Sequence, residues 1–180
     1  MGQIRTPRPV KLFVGMLSAR TDLFEIAEAE MAEEFGTIDR SSGIMPFHFT
    51  DYYADEMGPD LLRKFVGFGR LINPKELAAA KLFTNDLEEK MSEQFGSERR
   101  LVNLDPGYVS PSKLVLASTK DYSHRIYLGD GIFAEVTLHF SNRRFNPWPW
   151  TYPDYKTEAY RRFFEAMRTH YIETLRGASS

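Results

Sequence analysis

Hydrophobic and polar residues near the start of the chain follow two different periods, one typical of a buried strand and one typical of an amphipathic helix. Lys11–Leu17 is an almost continuous apolar run, which predicts a strand covered on both faces. From Asp22 onwards apolar residues recur with helical spacing, Glu25 stands three residues later as in a capping box, and Gly36 follows the last apolar position. The pattern predicts one strand followed by one helix.

The next part of the chain carries signals for two more strands and a long helix. Gly43–Thr50 is predicted as a strand, and Pro46, which has no N–H to donate, places it at a sheet edge or a bulge. Lys64–Ile72 is predicted as a further strand. Asn73-Pro74 is typical of a helix N-terminus, and the helical stripe after it continues to about Phe95.

The second half of the chain changes to shorter elements separated by turn-forming residues. Gly129-Asp130-Gly131 lies between two strand-like runs and is a strong hairpin signal. Asp105-Pro106-Gly107 predicts a turn, and Ser110-Pro111 predicts the start of a short helix. The predicted elements are strands over 101–104, 125–128 and 132–140, a helix from 110 to about 118, a loop over 146–155 and a closing helix over 156–175.

This order of elements predicts an α+β fold with a mostly antiparallel sheet. A β-α-β-β-α-β core is extended by a hairpin and a C-terminal helix, and regularly repeated strand–helix units are missing. We expect a single domain over residues 10–176, a flexible arm over 1–9 and a flexible tail over 177–180.

Apolar and polar residues alternate over 132–140, so the burial of each face of this predicted strand is predicted separately. Ala134, Val136 and Leu138 are expected to be buried, and Glu135, Thr137 and His139 are expected to share the opposite face. A Glu135 that is instead buried beside a groove would be a site residue, because an unpaired buried carboxylate is too costly to keep for packing alone.

Composition and charge exclude several classes of protein. The 180 residues are 42% hydrophobic with a formal net charge of −2, which is not typical of a disordered chain. Cysteine is absent, so disulfides, thiolate catalysis and cysteine-based metal sites are excluded. No apolar run is long enough to span a membrane, and basic residues form no concentrated stripe for general nucleic-acid binding. We expect a cytoplasmic protein with no cofactor.

Four segments occur in an order and spacing that resemble a known family. They are FTDYYADEMG at 49–58, NLDPGYV at 103–109, TKDYSHRIYL at 119–128 followed by GIFAEVTL at 131–138, and WTYPDY at 150–155. Together they resemble domain-of-unknown-function family 4416, a prokaryotic family of small single-domain proteins. The resemblance covers about residues 10–172 and implies no particular reaction. A phosphate-binding P-loop motif is absent from the chain.

The densest polar cluster lies just before the predicted hairpin. Lys120, His124 and Arg125 would supply donors to an anion, and Asp121 would orient His124. Lys120, Asp121 and His124 are therefore the candidate catalytic residues. The competing interpretation is a solvated loop whose Arg125 pairs with Glu135 across the hairpin.

A second polar group lies around the Asp-Pro-Gly segment and is expected to meet the first, because only a short helix is predicted between them. The candidate ligand-binding residues are Asn103, Asp105, Tyr108, Lys113, Arg125, Glu135 and Tyr152. Their positive balance favours a small ligand with a phosphate or carboxylate group. Arg125→Ala is expected to weaken binding and to leave the melting temperature nearly unchanged.

Three other interpretations remain open at this stage. Asp51 and Asp55 would share a helical face and hold a hard cation, but a full oxygen cage is not evident, so we predict no metal site. His48-Phe49-Thr50 and His139-Phe140-Ser141 resemble the motifs of two-histidine phosphoesterases, which requires both rings to face one cavity. A non-enzymatic protein-interaction module, using the aromatic loop and the acidic segment, is the third interpretation.

Overall fold

A computed structural model describes residues 2–50 and 54–177, and of Ala54 and Asp55 it describes the backbone. The helices are α1 (Asp22–Phe35), the one-turn α2 (Ala54–Met57), α3 (Leu77–Gln94) and α4 (Glu158–Gly177). The strands are β1 (Val10–Ser18), β2 (Ile38–Ser41), β3 (Met45–Pro46), β4 (Leu62–Ile72), β5 (Asn103–Val109), β6 (Lys113–Ser118), β7 (Arg125–Gly129), β8 (Ile132–Ser141) and β9 (Arg144–Pro147).

The nine described strands form one antiparallel sheet. Its order is β2-β4-β1-β5-β6-β8-β7, with β3 paired to β4 and β9 paired to β8. The predicted α+β class and antiparallel sheet are confirmed. Strand β1 lies inside the sheet between β4 and β5, which explains why its sequence is apolar without interruption.

Side chains of β1 alternate between two cores, one on each face of the sheet. Leu12, Val14 and Met16 pack in the core that contains α1 and α3, and Phe13 packs in the core that contains α4. Helix α4 contributes Tyr160, Phe164, Met167 and Tyr171, which recur with helical spacing and are all buried.

The ends of two helices were predicted with different success. At α3, the Asn73 side chain accepts a hydrogen bond from the Lys75 N–H and Glu76 bonds back to the Asn73 N–H, a complete capping box. At α1, the residue before the helix is Thr21, and its side chain makes no capping bond. The capping box expected from Asp22 and Glu25 is therefore not formed, although Gly36 ends the helix as predicted.

Four predicted elements are wrong in type or extent. Gly43–Thr50 is not one strand, since only Met45–Pro46 is extended there and β2 precedes it. The expected turn at 105–107 lies inside strand β5, and the expected helix over 110–118 is strand β6. The loop over 146–155 begins inside β9.

A β-bulge in β8 explains why the predicted faces of this strand are partly wrong. Leu114 lies opposite Leu138 and Val115 lies opposite Val136, so Thr137 is the extra residue on β8. The alternation shifts there by one position, and Leu138 joins the α4 core. Ala134 and Val136 are only half-buried, whereas Glu135 and Thr137 are buried.

The chain ends were predicted to be flexible. Residues 2–9 form no helix or strand and their side chains are exposed, while the Pro9 carbonyl accepts a hydrogen bond from the Tyr171 hydroxyl. Of the predicted tail, Gly177 is described and ends α4, and residues 178–180 lie outside the described residues. None of the described helices is long and apolar enough to span a membrane.

Candidate functional site

A cavity of about 570 Å³ opens where strands β5 and β6 separate. The two strands pair only from Gly107 to Val109 on β5, whereas the β5 residues Asn103–Pro106 pair with β1 alone. Pro106 has no N–H for a further bond, so it is tolerated where the pairing with β6 stops. Polar side chains from both sides of the sheet reach this opening.

Six of the predicted site residues line the cavity. Asn103 and Asp105 come from β5, Lys120 and Arg125 from the loop before β7 and its first residue, Glu135 from β8 and Tyr152 from the loop before α4. The polar groups over 103–105 and 120–125 thus converge, although a strand separates them instead of a helix.

Arg125 is the most densely bonded of these side chains. Its Nε and Nη2 bind Glu135 Oε2 at 3.0 and 2.9 Å, and Nη2 also donates to the Tyr152 hydroxyl at 2.6 Å. Its Nη1 donates to Ser118 Oγ and to the Lys120 carbonyl. Arg125 and Glu135 are both buried and lie opposite each other in the β7–β8 register. Arg125 therefore lines the cavity and makes the pair with Glu135 that the competing interpretation expected, although the pair is buried and not solvated.

Glu135, and not Asp121 as expected, is the carboxylate that contacts His124. The His124 Nε2 lies 2.9 Å from Glu135 Oε2, while Asp121 is exposed and does not line the cavity. His124 does not line the cavity, and its ring stacks between those of Tyr122 and Trp150, with ring centroids 6.0 and 5.4 Å away. The expectation that Asp121 orients His124 is corrected, because the buried carboxylate of the neighbouring strand lies closer.

The aromatic loop is held against the bulge of β8. Trp150 Nε1 donates to the Val136 carbonyl at 3.0 Å, and the Thr151 hydroxyl donates to the Thr137 carbonyl at 2.5 Å. These bonds reach β8 between the part that pairs with β7 and the part that pairs with β9. They fix Tyr152 at the cavity, where burial raises the pKa of its phenol.

Sequence reasoning missed Arg63, which is 3% exposed and lines the cavity. Its Nη2 lies 3.4 Å from Asp154 Oδ2, and its Nη1 lies 3.8 Å from Asp105 Oδ2. Burial disfavours the charge of Arg63, but Tyr155, Asp154 and Asp105 outweigh that effect and raise the pKa of the guanidinium. Burial raises the pKa of Asp154, against the opposing effect of Arg63.

Helix α3 supplies a second cation that sequence reasoning missed. Lys81 Nζ donates to the Leu104 carbonyl at 2.8 Å and lies 3.5 Å from Asp105 Oδ1. Near it, Glu88 Oε1 accepts a hydrogen bond from the Leu104 N–H at 2.6 Å, and burial raises the pKa of Glu88 to about 7. Lys81, Thr84 and Glu88 stand on the buried stripe of α3, so polar residues on an apolar helix face were the available signal.

Charge in the cavity is unbalanced. The cations that line it are Arg63, Lys81, Arg100, Lys120 and Arg125, and the carboxylates are Asp105, Glu135 and Asp154. Among the described lining residues, five cations against three carboxylates leave a formal excess of two, and one of these cations, Arg100, is bonded to Glu56 just outside the lining. A positively charged, partly enclosed site attracts small anions.

Two predicted ligand-binding residues lie elsewhere. Tyr108 packs half-buried against the core on the α3 face, and Lys113 is exposed at the start of β6, opposite His139. Neither lines the cavity. The expected pocket of Asp105, Lys113, Lys120, His124 and Arg125 is thus corrected, because Lys113 is at the far end of β6 and His124 is behind Glu135.

The two histidines of the phosphoesterase-like motifs are not brought to the cavity. His48 is exposed and lies in a loop after β3, and His139 lies in β8 with its ring 4.4 Å from that of Trp148. Neither imidazole is among the cavity residues. Asp51, Tyr52 and Tyr53, and the side chain of Asp55, lie outside the described residues, and the described part of the chain holds no group of acidic or histidine residues suited to a metal ion.

The fold and cavity define a small α+β domain with a polar cavity at a split in its sheet. The chain belongs to the domain of unknown function family DUF4416, whose model matches residues 8–171. Comparisons with curated proteins and with solved structures give no match.

Proposed function

We propose that the protein binds a small molecule with a phosphate or carboxylate group in the cavity between β5 and β6. The observation that carries the proposal is the excess of cations over carboxylates among the described residues that line the cavity. The volume of about 570 Å³ is within the usual range for small-molecule sites.

Lys120 and Lys113 provide a matched pair for testing this proposal. Both are exposed lysines near β6, but only Lys120 lines the cavity. We expect Lys120→Gln to weaken the binding of inorganic phosphate or of a small carboxylate about tenfold, since a hydrogen bond to a charged group contributes roughly 1.5–3 kcal/mol. Lys113→Gln is expected to leave the affinity unchanged. Isothermal titration calorimetry with the full chain measures both.

Two results would contradict the proposal. Equal losses in the two variants would show that the anion is attracted by general surface charge. The absence of saturable binding of phosphate and of carboxylates such as acetate, succinate and citrate to the unmodified protein would show that the cavity is not an anion site.

A further inference from the structure

Among the described residues, the buried end of the cavity carries no net charge, in contrast to the lining taken together. Arg63 and Lys81 lie there with Asp105 and Asp154, at the distances given above, so two cations face two carboxylates. Arg63, Lys81 and Asp154 are all less than 7% exposed. An anionic group placed at this end would lie against both carboxylates. Of the remaining described cations, Arg125 pairs with Glu135, Arg100 bonds to Glu56, and Lys120 is the exposed one.

The same end holds buried polar atoms that make no hydrogen bond with any described residue. They are Nε of Arg63 and the hydroxyl of Tyr155, while Nη1 of Arg63 has only the 3.8 Å contact to Asp105 and the Tyr160 hydroxyl interacts with Arg63. The two phenol rings lie 5.7 Å apart and both pack against Phe65, so these atoms belong to one cluster. Buried polar groups without partners are costly and rare in folded proteins, which indicates that a ligand completes this cluster.

Hydroxyl groups match this mixture of unpaired donors and carboxylates. A hydroxyl donates one hydrogen bond, here to Asp105 or Asp154, and accepts others, here from Arg63 or a phenol. An oxyanion only accepts and is repelled by the carboxylates, and an ammonium only donates and is repelled by Arg63. The chemistry of the buried end thus selects neutral hydroxyls.

We propose that the ligand is a polyhydroxylated molecule with one acidic group, of the class of sugar phosphates and sugar acids. Its hydroxyls occupy the end formed by Arg63, Asp154 and Tyr155, and its acidic group lies towards Lys120. This inference rests on the proposed function and narrows its ligand class.

Matched pairs of compounds separate the hydroxyl contribution from the anion contribution. Ribose 5-phosphate is compared with inorganic phosphate, and gluconate with hexanoate, by calorimetry on the full chain. The unmodified protein is expected to bind the hydroxylated member of at least one pair about tenfold or more tightly than its partner. The pair that shows the preference identifies the acidic group as phosphate or as carboxylate.

Tyr155→Phe tests the buried end directly, with Tyr108→Phe as the control outside the cavity. Tyr155→Phe is expected to reduce the preference for the hydroxylated compound about fivefold or more and to leave the affinity for inorganic phosphate unchanged. Its melting temperature is expected to stay the same or to rise, because a hydroxyl without a partner is removed. Tyr108→Phe is expected to leave both affinities unchanged.

The outcomes distinguish this inference from the proposed function. If phosphate binds but neither hydroxylated compound is preferred, or if Tyr155→Phe keeps the full preference, the inference is wrong and the anion site stands. If Tyr155→Phe lowers the melting temperature markedly, the hydroxyl has a structural partner and the inference is wrong. If no anion binds at all, both proposals fail.

Discussion

Arg125→Ala is expected to destabilise the protein by about 3–5 kcal/mol, the usual cost of removing one partner of a buried ion pair. Without the guanidinium, Glu135 loses its arginine partner in a site where it is 1% exposed, and Ser118, Tyr152 and the Lys120 carbonyl each lose a bond. For a domain of this size we expect the melting temperature to fall by roughly 10 °C. Urea denaturation gives the free energy of unfolding.

This result would be the opposite of what the sequence led us to expect for Arg125→Ala. The matched control is Arg144→Ala, whose partner Glu158 is also exposed and whose loss is expected to cost less than about 1 kcal/mol. The double variant Arg125→Ala/Glu135→Ala is expected to lose less than the sum of the single variants, since no charge is then left buried alone. Additive losses, or an unchanged melting temperature for Arg125→Ala, would contradict the ion-pair account.

Glu88→Gln is expected to stabilise the protein at pH 7 and above, but not at pH 4. Burial raises the pKa of Glu88 from 4.5 to about 7. Between these values the folded chain keeps a proton that the unfolded chain has lost, so the free energy of unfolding falls as the pH rises and levels off above about 7. The shift corresponds to roughly 3 kcal/mol. Glutamine still accepts the Leu104 N–H bond and does not titrate.

The comparison is made as a difference between variant and unmodified protein, so that other titrating groups cancel. The stability gain of Glu88→Gln is expected to grow from pH 4 to pH 7 and to stay constant from pH 7 to pH 8. Glu89→Gln, on the adjacent exposed residue, is the control and is expected to show no such trend. A gain independent of pH, or one that shrinks as the pH rises, would show that Glu88 is not protonated in the folded protein.

Local periodicity correctly predicted the elements that keep one hydrophobic pattern over their whole length. Strand β1 and helix α1 are of this kind, since nothing in them conflicts with the burial of their apolar positions. In β8 the pattern is period two, yet the bulge at Thr137 reverses the faces of the residues after it. A bulge depends on the partner strand and on the loop that bonds to it, which a single strand does not reveal.

The Asp-Pro-Gly segment shows why turn-forming residues misled the prediction. Gly107 lies in a strand, at a position where a larger side chain has no room. A Cβ there would lie 2.5 Å from the Val115 carbonyl oxygen and 2.6 Å from Cζ of Phe13. In the apolar run of β6, Leu114 and Leu116 pack in one core, and the alternate residues Val115 and Ala117 pack in another. Runs buried on both faces do not distinguish a strand from a helix segment.

Sequence reasoning predicted those site residues that lie in polar clusters near loops. It missed those that lie within buried strands or helices. Lys120, Arg125 and Asp105 belong to the first kind. Arg63 and Lys81 belong to the second, since each lies in a buried strand or helix and its carboxylate partner comes from a distant part of the chain. Pairing over such separations is a property of the tertiary fold.

The most direct test of the anion-binding account is an NMR titration of the isotope-labelled full chain with inorganic phosphate. The account predicts that the amide signals of 118–120 move together on one saturating curve, while the signals of Lys113 and Arg144 stay in place. Shifts scattered over exposed basic residues such as Arg144 and Arg162, or shifts that rise without saturation, would contradict it.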